Sequence, residues 1–151
     1  MRMYFAGPLF SLQEREFNAR LTASIEALGF DVWLPQRDGY EGPKDPKLIG
    51  QPDVGREIFE LDKHHVLACD VLLCILDGRV PDEGMAVELG LAHADRLHRS
   101  QHRKLIGLST DFLRGGAAIN PMLLYALDEI YSEEAELLER LRTILQETPD
   151  R

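Results

Sequence analysis

Short apolar runs alternate along the chain with longer segments that carry an apolar residue every three or four positions. The runs Met3–Ala6, Asp31–Leu34, Val71–Leu76 and Lys104–Leu108 predict strands. Val71-Leu-Leu-Cys-Ile-Leu76 is apolar throughout, the pattern of a central strand covered on both faces. Between the runs, Phe17, Leu21, Ile25 and Leu28 form a helical stripe, opened by the capping box Ser11-Leu-Gln-Glu14 and stopped by Gly29. Asp53 can cap a helix through about Ala68, with Ile58, Leu61, His65 and Ala68 at helical spacing. Gly84–Ala94 is apolar almost all the way round a helix, which predicts a buried one. Asn120-Pro121 begins a further helix, Asn as cap and Pro in the first turn. A last amphipathic helix covers about residues 132–147 and carries Leu137, Leu138, Leu141 and Ile144.

Strand and helix alternate, so the fold class expected is α/β, a parallel sheet with helices on both faces. Ligands of such sheets bind beyond the carboxyl ends of the strands. The segments Gly7–Phe10, Pro35–Tyr40, Asp77–Asp82 and Leu108–Asn120 should therefore gather on one edge. The Pro/Gly-rich stretch Pro35–Pro52 is long enough to suggest function or mobility.

Composition narrows the function classes. A chain of 151 residues is expected to form a single domain, residues 1–151. The net charge of −9 repels nucleic acid and anionic membranes, so neither is an expected partner, while a small uncharged substrate is not disfavoured. No stretch approaches the roughly 20 apolar residues of a membrane span, and no signal-peptide pattern opens the chain. Cys69 and Cys74 lie at a helix end and inside an apolar strand, as small buried hydrophobes of a reducing cytosol do. The expectation is a soluble cytoplasmic protein.

Against this background Glu88 stands out, the one carboxylate inside the apolar run Gly84–Ala94. Burying it costs several kcal/mol unless it is paired, hydrogen-bonded or used. Helix side chains lean toward the N-terminus, which aims Glu88 at the strand edge, and Gly84 one turn earlier leaves space above it. The helix dipole favours an ionised acid there against the pull of burial. Such a carboxylate suits a nucleophile; the alternative is that it satisfies a backbone or Arg partner in the core. Asp82 either caps the helix or forms the second member of a carboxylate pair, divided into nucleophile and proton donor as in retaining glycoside chemistry. Asp62 is either a solvated surface acid or part of the site. Asp77 either caps a turn or meets ligand, and the Tyr4 hydroxyl faces either core or site.

Several motifs, taken in order, carry a resemblance. Tyr4-Phe-Ala-Gly-Pro-Leu-Phe10, Asp62, Asp70-Val-Leu-Leu-Cys-Ile-Leu-Asp-Gly78, Asp82-Glu-Gly-Met-Ala-Val-Glu-Leu-Gly90 and Asn120-Pro-Met122 resemble the nucleoside 2-deoxyribosyltransferase family. The similarity runs from Met1 to about Tyr125, and D-x-G-x-x-x-E-x-G is its most specific piece. The resemblance implies a flavodoxin-like or Rossmann-like fold. It implies that Glu88 attacks the anomeric carbon to form a covalent 2-deoxyribosyl intermediate, with Tyr4 orienting it. Asp82 and Asp62 then bind the base and supply or remove its proton, and Phe10 packs around the nucleoside, beside Gly7, Asp77 and Gly84 of the same motifs. Asn120 is implied to reach sugar hydroxyls across a subunit interface, with Met122 nearby, in a homo-oligomer built from dimers and often hexameric. The implied ligands are a 2′-deoxynucleoside and a free nucleobase, and no metal or organic cofactor is implied. The acidic C-terminal helix and Thr148-Pro-Asp-Arg151 depart from the family pattern of chain ends that reach a neighbour's site.

Other signals count for less. His64-His65, His93, His98 and His102 have no metal spacing with a matched carboxylate, and His93 is expected to line the core. His98–Lys104 reads as a solvated basic turn, and Gly115-Gly116 as a flexible turn rather than a phosphate loop. Three functions remain: base exchange between deoxynucleosides, hydrolysis of deoxynucleoside 5′-monophosphates, and non-catalytic nucleotide binding. Pro8 removes a backbone donor and Leu9-Phe10 are apolar, which favours an uncharged 5′-hydroxyl, although Ser11 at a helix start leaves a phosphate open.

Overall fold

The computed structural model describes residues 1–40, 51–78, 80–99, 102–111 and 119–147. Gly115-Gly116, the chain end Thr148–Arg151 and residues 41–50 of the Pro35–Pro52 stretch lie outside the described residues. The elements run β1 (Arg2–Ala6), α1 (Leu12–Glu26), β2 (Asp31–Trp33), α2 (Pro35–Asp38), α3 (Pro52–Ala68), β3 (Val71–Ile75), α4 (Glu83–His98), β4 (Lys104–Leu108), α5 (Pro121–Leu124), β5 (Glu129–Tyr131) and α6 (Glu134–Glu147). All pairings are parallel and the strand order is β2-β1-β3-β4-β5. This is the flavodoxin-like order, and its switch point lies between β1 and β3.

Alternation along the strands builds two cores. Met3, Phe5, Leu73 and Ile75 face Leu21 and Ile25 of α1 and Leu137, Leu141 and Ile144 of α6. Tyr4, Ala6, Leu72 and Cys74 face Val66 of α3 and Met85, Leu89 and Ala92 of α4. Both cysteines are free and buried, and burial pushes the Cys69 thiol up to about 11 and Cys74 well above its ordinary value. Among the described residues no helix is long and apolar enough to cross a membrane.

The local signals for α1 and α5 hold. Ser11 and Glu14 form the reciprocal capping box, Gly29 adopts φ +110°, and the Asn120 side chain accepts the Met122 N–H at 2.9 Å. Four expectations need correction. β5 is a strand that periodicity misses, because Glu-Ile-Tyr is too short and too polar to stand out. Helix α3 starts at Pro52 with Gln51 as its cap, placing Asp53 in the first turn rather than at the cap. Helix α4 is not buried all round, since Val87 is 56% and Leu97 62% exposed, and Gly90 and Ala94 continue that open face. Small and apolar residues on the outer face look identical, in sequence, to residues that pack inward.

The basic turn is the fourth correction. Arg103 is only 3% exposed. It donates to the carbonyls of Leu67 (2.6 Å), Cys69 (3.0 Å) and Ala92 (3.2 Å), and its Nη1 lies 3.1 Å from Asp95. One guanidinium thus satisfies the end of α3 and ties it to α4, a use of five donors that a lysine could not copy. Arg103→Ala should lower unfolding stability by about 3–5 kcal/mol, because it leaves three carbonyls without this donor and Asp95 with only the exposed Arg99, 3.8 Å away. A urea midpoint close to wild type, with unchanged slope, would contradict this reading.

Candidate active site

Glu88 lies on α4 in its second turn, facing β1. The Tyr4 hydroxyl donates to Glu88 Oε1 at 2.6 Å. That bond joins β1 to α4 and partners Glu88 with a phenol rather than with an arginine, and Tyr4 itself is fully buried in the core on that face of the sheet. Asp62 of α3 is close enough to interact with both groups, and Asp82 adds its charge to Glu88. Tyr4, Glu88, Asp62 and Asp82 therefore form one cluster at the carboxyl edge of the sheet.

Burial pushes Glu88 up to about 7; the Tyr4 bond pulls down, while Asp62 and Asp82 push up further. An acid held ionised by the helix dipole was the expectation. Burial and like charge outweigh the dipole here, which fades beyond the first turn. Burial foremost, then Glu88 and Asp62, push the Tyr4 phenol far above its usual range, so it stays a donor. Asp62 is raised by burial and lowered by the indole of Trp33 and by Tyr4.

Asp82 does cap the helix, its Oδ1 accepting the Met85 N–H at 2.8 Å. A Cβ on Gly84 would sit 3.1 Å from that same oxygen, so the glycine keeps room for the cap at an exposed helix mouth. Gly7 permits a closer approach. Its Cβ would fall 2.9 Å from Ile75 Cβ, and side-chain-free backbone lets the β1 exit press against β3 at the switch point.

Asp77 turns out to be a clamp. It accepts the Thr110 N–H (2.6 Å), the Thr110 hydroxyl (2.6 Å) and the Asp111 N–H (3.1 Å), which ties the β3 and β4 exits together. Phe10 is 79% exposed beside the β1 exit. Asn120 caps α5 and Met122 stands at its surface, 81% exposed. His93 is half-buried, its Nδ1 3.2 Å from the Ala126 carbonyl.

Several supporting residues escape a reading for motifs. Asn18, buried in the stripe of α1, donates to the Pro8 carbonyl (2.9 Å) and to Gln36 (3.1 Å), pinning the β1 exit to α2. An asparagine at a core-facing helical position is the signal that could have found it. At the α1 mouth, Glu14 Oε2 accepts the N–H groups of Phe10 (2.9 Å) and Ser11 (2.7 Å). Those bonds, chiefly Ser11's, hold the Glu14 carboxyl below its ordinary range. A cavity of about 330 Å³ is lined by Arg2, Asp31, Arg37, Asp38 and His64, with Trp33 and His65 in its wall. It excludes Asp62 and Glu88. The carboxylates and their chemistry, rather than this cavity, define the site.

A flavodoxin-like sheet with a phenol-bound glutamate at its switch point defines an α/β protein whose site is built from acids. The nucleoside 2-deoxyribosyltransferase family model matches residues 3–122, and the chain belongs to that family. Among solved structures it resembles a conserved protein from Enterococcus faecalis V583, at 28% identity and TM-score 0.78, covering 95% of this chain and 98% of that one. It also shares the fold of the 2-deoxyribosyltransferase from the psychrotolerant bacterium Bacillus psychrosaccharolyticus, at 19% identity and TM-score 0.74, covering 91% and 90% of the two chains. No curated protein sequence matches it.

Because the folded protein holds a proton on Glu88 that the unfolded chain has released, stability falls as pH rises from about 4.5 to about 7. Glu88→Gln keeps an acceptor for Tyr4 and removes the ionisation. It should be more stable than wild type at pH 8 by about 2 kcal/mol, with the difference shrinking toward pH 5. Unfolding midpoints at the two pH values measure this; a gap that does not change with pH would refute it.

Proposed function

We propose that the protein exchanges the nucleobase of 2′-deoxynucleosides through a covalent 2-deoxyribosyl intermediate on Glu88. The observation that carries this reading is the Tyr4–Glu88 hydrogen bond, which fixes one carboxylate oxygen and so orients the other for attack. In the first step Glu88 forms a bond to the anomeric carbon as the bond to the base breaks with its electron pair. A nucleobase leaves poorly unless it gains a proton, so an acid must face it. Asp62, raised by burial, is suited to give that proton, with Asp82 binding the base. A second base then displaces Glu88 and returns the proton, and two inversions give net retention.

Near neutral pH Glu88 is shared between its two protonation states. The ionised fraction is the nucleophile, so the rate of exchange should rise with pH through about 7, as a pH–rate profile would show.

Hydrolysis of deoxynucleoside 5′-monophosphates is the second reading, and Glu14 speaks against it. Its carboxylate already holds the Phe10 and Ser11 N–H groups at the start of α1, where a 5′-phosphate would need them. A resident negative charge there favours an uncharged 5′-hydroxyl. We further propose a homo-oligomer in which Asn120 and Met122 serve a neighbouring site. Their surface position, with Tyr125 also 81% exposed, suits residues that a second copy would cover.

Incubation with deoxyinosine and free adenine tests the reading. Deoxyadenosine should form, deoxyinosine monophosphate should be used at least tenfold less well, and Glu88→Ala should reduce exchange by more than 10³-fold while remaining folded. Hypoxanthine release without deoxyadenosine would instead indicate hydrolysis. Near-normal exchange in Glu88→Ala would overturn the mechanism.

A further inference from the structure

Asn18 is 2% exposed and belongs to the buried face of α1, with Leu21, Thr22 and Ile25. An amide inside a helix and out of water is a poor choice beside leucine unless its donors are used. Here both of its partners lie outside α1. The side-chain nitrogen donates to the Pro8 carbonyl at 2.9 Å and to Gln36 Oε1 at 3.1 Å. The Gln36 amide is held in turn, its Nε2 donating to the Arg15 carbonyl of α1 at 2.8 Å. Asn18 therefore stands between two strand exits, the loop after β1 and helix α2 after β2.

One turn earlier on α1 the same loop is gripped again, where Glu14 Oε2 accepts the Phe10 and Ser11 N–H groups. The Pro8 carbonyl and those two N–H groups are thus all held by side chains of α1. Gly7, at the root of the loop, lies tight against Ile75. The backbone is fixed, yet Phe10 is 79% exposed. Holding this backbone contributes no packing at Phe10. It sets the direction in which an exposed ring projects.

We infer that Asn18 is a positioning residue, locking the loop after β1 so that Phe10 meets the nucleoside in one pose. This rests on the proposed base exchange, with Phe10 packing against the bound nucleoside. Helix α1 covers the opposite face of the sheet from Tyr4 and α4, so Asn18 bears on the grip of the nucleoside rather than on the Glu88 chemistry. A loop already in its bound shape spares the ligand the entropy of ordering it. That gain is the same in ground state and transition state, so its loss belongs in KM.

Amide hydrogen exchange reads the grip without turnover. In Asn18→Ala the Phe10 and Ser11 amides should gain about tenfold in exchange rate beyond any gain at Val71–Ile75 of β3, which reports global unfolding. A gain at Phe10 and Ser11 no larger than that of β3 would mark a merely structural residue and overturn the inference. Should Asn18→Ala fail to fold, Gln36→Ala decides, since it removes one acceptor and keeps the Pro8 bond. Its gain at the same two amides should be smaller but present, and no gain would overturn the inference. In exchange with adenine, Asn18→Ala should raise the KM for deoxyinosine about tenfold with kcat within about threefold. An unchanged KM, or a loss carried by kcat alone, would overturn the positioning role. Absence of exchange in the wild-type protein would defeat the transferase reading alone, because amide exchange still decides whether Asn18 holds the loop.

Discussion

The hydrogen bond from Tyr4 to Glu88 is the constraint on which the site depends. A carboxylate on the sheet-facing side of α4 is expensive to desolvate, and the phenol of a central strand is what makes that position tolerable. Because β1 is paired on both sides, Tyr4 has little freedom, and Glu88 inherits that rigidity. The cost is not fully offset. Burial still leaves Glu88 near 7, and Asp62 and Asp82 repel it. A bound group that spreads positive charge between these acids would relieve the repulsion, and an oxocarbenium-like sugar is such a group.

Much of the architecture was legible because the chain states it twice, once in periodicity and once in punctuation. The apolar run Val71–Leu76 marks the central strand, and the Ser11–Glu14 box and Asn120-Pro121 mark helix starts with their own hydrogen bonds. What was hidden depends on contacts distant in sequence. Arg103 reads as one more charge in a basic turn, and only the three carbonyls from α3 and α4 make it a core residue. Strand β5 carries three half-buried residues at the sheet edge, so pairing with β4 rather than its own pattern defines it.

The candidate site was legible in its carboxylates and illegible in their supports. Glu88 is conspicuous because it violates the pattern around it, and Asp82 is conspicuous at a helix mouth. Asp77, equally acidic and equally well placed at a strand exit, is taken by Thr110 and Asp111. Sequence cannot separate the two aspartates, because the difference lies in donors more than 30 positions away. Asn18 acts through neighbours in the same way.

Glu14 shows how one local motif reaches function. A capping box is ordinarily a matter of helix stability, worth about 1 kcal/mol. Here its carboxylate also takes the Phe10 N–H, so the loop leaving β1 is closed around an anion that belongs to the protein. The helix N-terminus beside the switch point is the natural berth for a phosphate in this kind of sheet. Filling it with Glu14 removes both donors and adds a like charge. That occupation of the helix mouth by a protein carboxylate is what underlies the proposed preference for an uncharged 5′-hydroxyl over a phosphate.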